Sequence, residues 1–198
     1  MVNRRLREKL EADGRLGHRQ HAFRPGYGTS TYFANLGSVL QEAYEEGKHV
    51  DLVSLDIAKA FSRTWTPLVL RKLQDWGITG NMLAFIKNFL SRRTFQVLIG
   101  GTASNEYPEE TGVPQGSVLA VTLFLIAMDG VFNSLPANVY VFVYADDILL
   151  VVVGSTPEEP ELDAQRQLSP FFGGLLPSVL YSTPVNVSGD TCAAGGTS

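Results

Sequence analysis

The chain has 198 residues, 44% of them hydrophobic and 18% charged, with a net charge of −4 and one cysteine, Cys192. That profile fits one ordinary globular domain with a core, and a lone cysteine excludes a disulfide frame and a cysteine metal site. The longest apolar windows, VTLFLIAM and ILLVVV, fall well short of the roughly 18 residues of a membrane span. MVNRRLREKL lacks the apolar run of a secretory signal, so an intracellular, membrane-free setting is expected, and Asn186-Val187-Ser188 is read as a chance sequon.

Charge is unevenly spread. Residues 1–104 carry 15 Lys and Arg against 9 Asp and Glu, whereas residues 105–198 carry 1 against 11. The first half is suited to meet phosphate, while the second repels it unless cations intervene. Solvated helix faces alone also produce such asymmetry.

In chain order, Val2, Leu6 and Leu10 at helical spacing predict a basic helix over 2–13 that stops at Gly14. A polar connector, RQHAFRPGYGTS, leads into a second helix carrying Tyr32, Phe33, Leu36, Val39, Leu40 and Ala43 and ending at Gly47. VDLVSLD, residues 50–56, predicts a buried strand with Asp56 at its exit. Thr66-Pro67 opens a helix closed by Gly77, Pro being suited to a first turn whose N–H has no partner. Met82, Leu83, Ile86, Phe89 and Leu90 mark another helix, and TFQVLIG alternates as a half-buried strand entering a Gly100-Gly101 turn. After Pro-Gln-Gly, VLAVTLFLIAM is apolar on every side and predicts a buried helix. Strands follow at 139–143 and 148–153, and residues 169–198, rich in Gly, Pro, Ser and Thr, predict a disordered tail. The order implies an α+β fold, an antiparallel sheet covered by helices on one face.

Between the two late strands lies YADD, with Asp146 and Asp147 side by side. Asp is a common turn former, but turn chemistry there favours a glycine, and YADD has none. No Lys or Arg occurs between Arg93 and Arg166, so adjacent carboxylates beside apolar strands raise each other's pKa or take a cation. Hard oxygen ligands suit Mg²⁺, held by one or two carboxylates plus substrate phosphates. Asp56 is the candidate third carboxylate if its strand neighbours the 139–153 hairpin, although a strand-end Asp also caps a following helix. Such a rim suits two metals and nucleotidyl transfer.

YADD, preceded by VSLDIAKAF and GVPQGSVLAVTLF in that order, resembles the reverse transcriptases of non-LTR (LINE-type) retrotransposons; NRRL, QHAFRPGYGT and FLSRRTFQV extend the similarity over about 3–157. The resemblance implies a right-hand polymerase palm with partial fingers and no thumb: fingers in 1–49, palm in 50–157 with a helical insertion near 66–111, and a non-homologous tail at 158–198. It implies two Mg²⁺, with Mn²⁺ as substitute, on Asp56, Asp146 and Asp147. It implies Phe61 as the steric gate against a ribose 2′-hydroxyl, Gln115 and Gly116 as contacts to the incoming nucleotide, and Arg24 as a grip on its triphosphate. Arg92 and Arg93 are expected to track template or primer phosphates. Implied partners are an RNA template, a DNA primer and deoxynucleoside triphosphates, with a thumb and flanking domains in the full-length protein.

Departures from the family pattern stand beside this. Ser62 replaces an acid in AFSRTWT, Ala120-Val121 stands where proline is usual, and Lys87 is the last lysine, so the lysine-bearing block after YADD is missing. These imply a copy truncated at both ends, and the alternative to an RNA-directed DNA polymerase fragment is an inactive retrotransposon remnant that at most binds nucleic acid.

Overall fold

The computed structural model describes residues 1–57, 59–164 and 166, and the backbone of 186–191. Among these, no helix is long and apolar enough to cross a membrane. The chain divides into two units. Strand pairing governs the division, because residues 49–56 are hydrogen-bonded to strands that lie far along the chain.

The first unit comprises residues 1–15 and 59–128. Its centre is α6 (Val118–Met128), which is apolar all round, as its composition predicts, and buries Leu123, Phe124 and Ile126 completely. Against α6 lie α1 (Val2–Ala12), through the fully buried Leu6 and Leu10, and α4 (Thr66–Asp75), through Val69 and Leu73. Pro67 sits in the first turn of α4 as expected. Lys72 of α4 donates to Ile126 O and Ala127 O at the C-terminal end of α6, satisfying carbonyls the helix cannot pair itself. Asn3 Oδ1 accepts from the buried Thr122 hydroxyl at 2.7 Å. Helix α3 (Ala60–Arg63) is a single turn, and α5 (Gly80–Leu90) packs on α4.

The strand predicted at 94–100 is interrupted and outward-facing instead of half-buried. It is split into β2 (Arg93–Phe95) and β3 (Leu98–Ile99), which pair separately with β5 (Tyr107–Glu109) and β4 (Thr102–Ala103). Beside the break, the Ser104 hydroxyl accepts from Val97 N–H while Ser104 N–H donates to Val97 O. Phe95, Val97 and Ile99 are 48%, 49% and 75% exposed, so alternation here does not signal burial.

The second unit comprises the described residues of 16–57 and those from 129 onward. It is built on an antiparallel sheet in the order β6 (Val139–Tyr144), β7 (Asp147–Gly154), β1 (His49–Asp56), β8 (Asn186–Thr191). Val53, Leu55, Ile148, Leu150, Val151 and Val152 form its buried centre. Helix α2 (Thr29–Glu45) lies against β1 and β6. Its Tyr32 ring meets Phe142 and Tyr144 edge-on, at centroid distances of 5.8 and 6.3 Å. Composition predicts no strand in the tail, yet β8 occupies the edge of β1, where unpaired N–H and C=O groups offer a template. Residues 159–164 are helical, and the rest of the stretch predicted to be disordered, 169–185 and 192–198, lies outside the described residues.

Candidate catalytic site

Strand β1 runs antiparallel to β7 in a register that sets Asp56 directly opposite Asp147. Tyr144 pairs with Asp147 across the β6–β7 hairpin, so Ala145 and Asp146 form a two-residue turn. All three carboxylates therefore lie at one end of one sheet: Asp56 ends β1, Asp147 begins β7, and Asp146 stands in the turn beside it. Asp56 and Asp147 are exposed and Asp146 is half-buried.

Directly opposed residues in a sheet hold their Cβ atoms about 4.5–5.5 Å apart, and like charges there repel. None of the three has a hydrogen-bond or ion-pair partner among the described residues. Nor do three His, Cys, Asp or Glu side chains among the described residues gather into a group that could hold a metal. A pair of opposed carboxylates with a third beside it, all acceptors and all uncompensated, fits a hard divalent cation whose remaining ligands are water or substrate phosphate.

The turn has an unusual backbone. Ala145 has φ +58°, a region that β-carbons disfavour and that glycine or asparagine normally fills. Gln20, in the connector before α2, holds it. Its Oε1 accepts from Ala145 N–H at 3.0 Å and its Nε2 donates to Ala145 O at 3.1 Å. Tyr32 also senses the site, since its phenol is pushed above the usual tyrosine pKa, first by burial and then by the negative charge of Asp147. Neither Gln20 nor Tyr32 was marked as a site residue by the sequence. The available signals are that Gln20 opens the QHAFRPGYGT block of the resemblance and that Tyr32 lies just after the polar connector.

Arg24 is not available as expected. It is 9% exposed, Nη1 donates to Gly17 O at 2.6 Å, and the guanidinium carbon lies 4.3 Å from the centroid of the Tyr27 ring. The group predicted to grip a triphosphate is thus spent inside the connector, where donor satisfaction and cation–π contact outweigh exposure.

The other predicted residues belong to the first unit. The Phe61 ring stacks on Phe124 with centroids 4.6 Å apart, and its carbonyl accepts from Val113 N–H. Gln115 is exposed in a turn closed by Ser117 N–H to Pro114 O, where Gly116 has φ +86°; the third position of a type II turn calls for that glycine. Arg92 is exposed. Arg93 is not free for phosphate: it pairs with Glu109 at 2.9 Å and donates to Leu90 O, Thr111 O and Gly112 O. Arg93 and Glu109 are register partners of β2 and β5, which makes the guanidinium a strut of that sheet.

A family model described as reverse transcriptase (RNA-dependent DNA polymerase) matches residues 1–169, running past the point where the predicted non-homologous tail begins. The RNA-directed DNA polymerase from mobile element jockey of Drosophila melanogaster is 33% identical over 134 residues, which are 65% of this chain and 14% of that protein. The jockey protein of Drosophila funebris is 31% identical over 158 residues, 77% of this chain and 17% of its own length. A retrovirus-related Pol polyprotein from type-1 retrotransposable element R2 of Popillia japonica is 30% identical over 135 residues, 63% of this chain and 21% of that protein. The chain thus spans less than a quarter of each of these relatives. In fold it is similar to telomerase from Candida albicans in complex with a fragment of telomeric RNA, with a TM-score of 0.67 at 13% identity, covering 94% of this chain and 35% of that one.

Proposed function

This chain belongs to the reverse transcriptase family, and on that premise we propose that it carries the palm of an RNA-directed DNA polymerase, which adds deoxynucleotides to a primer 3′ end. The observation that carries the proposal is the register pair Asp56–Asp147 with Asp146 beside it, at one end of an antiparallel sheet. Bound Mg²⁺ supplies Lewis-acid activation of the 3′-hydroxyl and neutralises charge on the leaving pyrophosphate. The chain's own part is to hold the carboxylates rigidly at the strand ends, so that the metal-binding oxygens need no reorganisation.

Phe61 is the candidate steric gate, its ring braced by Phe124. Gln115 and Gly116 are the candidate contacts to the incoming nucleotide, in a turn whose positive-φ glycine leaves the backbone open to close approach. The first unit carries 12 Lys and Arg against 7 Asp and Glu, which supports sequence-independent contact with an RNA template and DNA primer through exposed groups such as Arg92. Arg24 and Arg93 are assigned structural tasks, because Arg24 is buried and donates to Gly17 O, and the donors of Arg93 are already engaged.

Primer extension on an RNA template with Mg²⁺ and deoxynucleotides, comparing the wild type with Asp146→Asn, tests the proposal. Extension by the wild type and loss in the variant support it. No extension by either protein, with salt-sensitive RNA binding retained, overturns it in favour of an inactive remnant.

A further inference from the structure

Gln20 has no catalytic chemistry of its own, yet it makes three hydrogen bonds around the YADD turn. Besides the two to Ala145, its Oε1 accepts from Ala22 N–H at 2.9 Å. The backbone on either side supports the same contact. Residues 19–21 run beside β6, with Val143 N–H donating to Arg19 O and His21 N–H donating to Val143 O. The ladder stops there, and the Gln20 carboxamide takes the next rung, offering Ala145 one acceptor and one donor as a neighbouring strand would.

The rung falls where the backbone most needs it. Ala145 occupies the first turn position at φ +58°, a conformation that costs an L-residue roughly 1–2 kcal/mol and persists only when surrounding contacts fix it. The next two residues are Asp146 and Asp147. Relaxation of Ala145 to negative φ would re-aim both carboxylates and break the opposition of Asp147 to Asp56.

We propose that Gln20 is a positioning residue for the metal-binding turn: its carboxamide holds Ala145 in the left-handed conformation and thereby aims Asp146 and Asp147. This rests on the metal-site assignment made above, and Mn²⁺ binding by the whole chain, followed by loss of the free-ion electron paramagnetic resonance signal, separates the two. Gln20→Met keeps length and volume but removes the rung. It is expected to weaken Mn²⁺ binding about 10-fold or more, the usual consequence of losing an outer-shell support. Adding Ala145→Gly, which makes φ +58° intrinsically accessible, should restore most of that affinity, a rescue that general loosening of the fold would not give. Should Gln20→Met not fold, Gln20→Asn, whose amide is one methylene short of Ala145, takes its place with the same expectations. If Gln20→Met binds Mn²⁺ like the wild type, or if Ala145→Gly gives no rescue, the positioning role is overturned while the metal site stands. If Asp147→Asn binds as well as the wild type, the metal site itself fails and the role of Gln20 fails with it.

Discussion

Asp56 and Asp147 oppose one another across β1 and β7 without a counter-charge among the described residues. Directly opposed like charges destabilise a sheet, so Asp147→Asn should raise metal-free stability slightly. The same change should lower primer extension by roughly 100-fold or more, as expected when a preorganised group at the developing charge is lost. Thermal unfolding with and without Mg²⁺ checks the sign: Mg²⁺ raises the midpoint of the wild type and leaves the variant unmoved. A variant less stable than the wild type in the absence of metal would contradict the repulsion argument.

Arg92 and Arg93 are adjacent in sequence and opposite in use. Arg93→Ala removes a mostly buried guanidinium from a half-exposed Glu109 and strands the carbonyls of Thr111 and Gly112, which should cost roughly 2–4 kcal/mol. Arg92→Ala should stay within about 0.5 kcal/mol and lower the slope of log RNA affinity against log salt by about 1. Urea unfolding together with anisotropy titrations over a salt series distinguishes them. An equal effect of both variants on the salt slope would return Arg93 to the phosphate-binding set.

The features legible in the sequence are those governed by composition and period. VLAVTLFLIAM is buried because it has no polar face to expose, and the 139–153 hairpin and the 50–56 strand follow from β-branched runs. Adjacency of β1 to that hairpin, which brings Asp56 to the YADD turn, required only that an antiparallel sheet form. The illegible features depend on partners distant in the chain. Nothing in the letters of Arg24 or Arg93 says whether their donors are taken by carbonyls, and both are. Alternation in TFQVLIG mimics a half-buried strand, but the segment divides between two partners, β5 and β4, and faces outward. An alanine at positive φ gives no compositional sign, because its conformation is imposed by Gln20, 125 residues away.

Gly112 joins the Phe61 turn to the segment entering Pro-Gln-Gly. It has φ +78°, its N–H donates to Thr64 O at 3.0 Å, and a β-carbon there would run into the Ser62 backbone. Gly112→Ala should therefore lose roughly 2–3 kcal/mol, combining backbone strain with a clash that no side-chain movement relieves. Gly100→Ala is the control: φ is also positive, at +56°, but nothing lies within 4 Å, so about 1 kcal/mol is expected. Urea midpoints at unchanged m-value read the difference. Equal losses would mean that the Ser62 contact gives way.

His21 makes stability depend on pH. It is 1% exposed, between the rings of Tyr27 and Tyr32, and its Nδ1 lies 3.0 Å from Thr31 Oγ1. The Thr31 hydroxyl gives its proton to Gly28 O, which leaves His21 Nδ1 as the donor of a neutral ring. Burial, and secondarily the charge of Arg24, hold the imidazole below its ordinary pKa. The unfolded chain therefore takes up a proton near pH 6.5 that the folded chain refuses until a lower pH. Within that window the unfolded state binds more protons, so stability is full above about pH 6.5 and falls as pH drops, by at most about 1.4 kcal/mol per pH unit. Thermal midpoints between pH 7.5 and pH 5 should decline more steeply for the wild type than for His21→Gln, which has no proton to gain. Parallel profiles for the two proteins would show that the folded chain takes up the His21 proton as readily as the unfolded one.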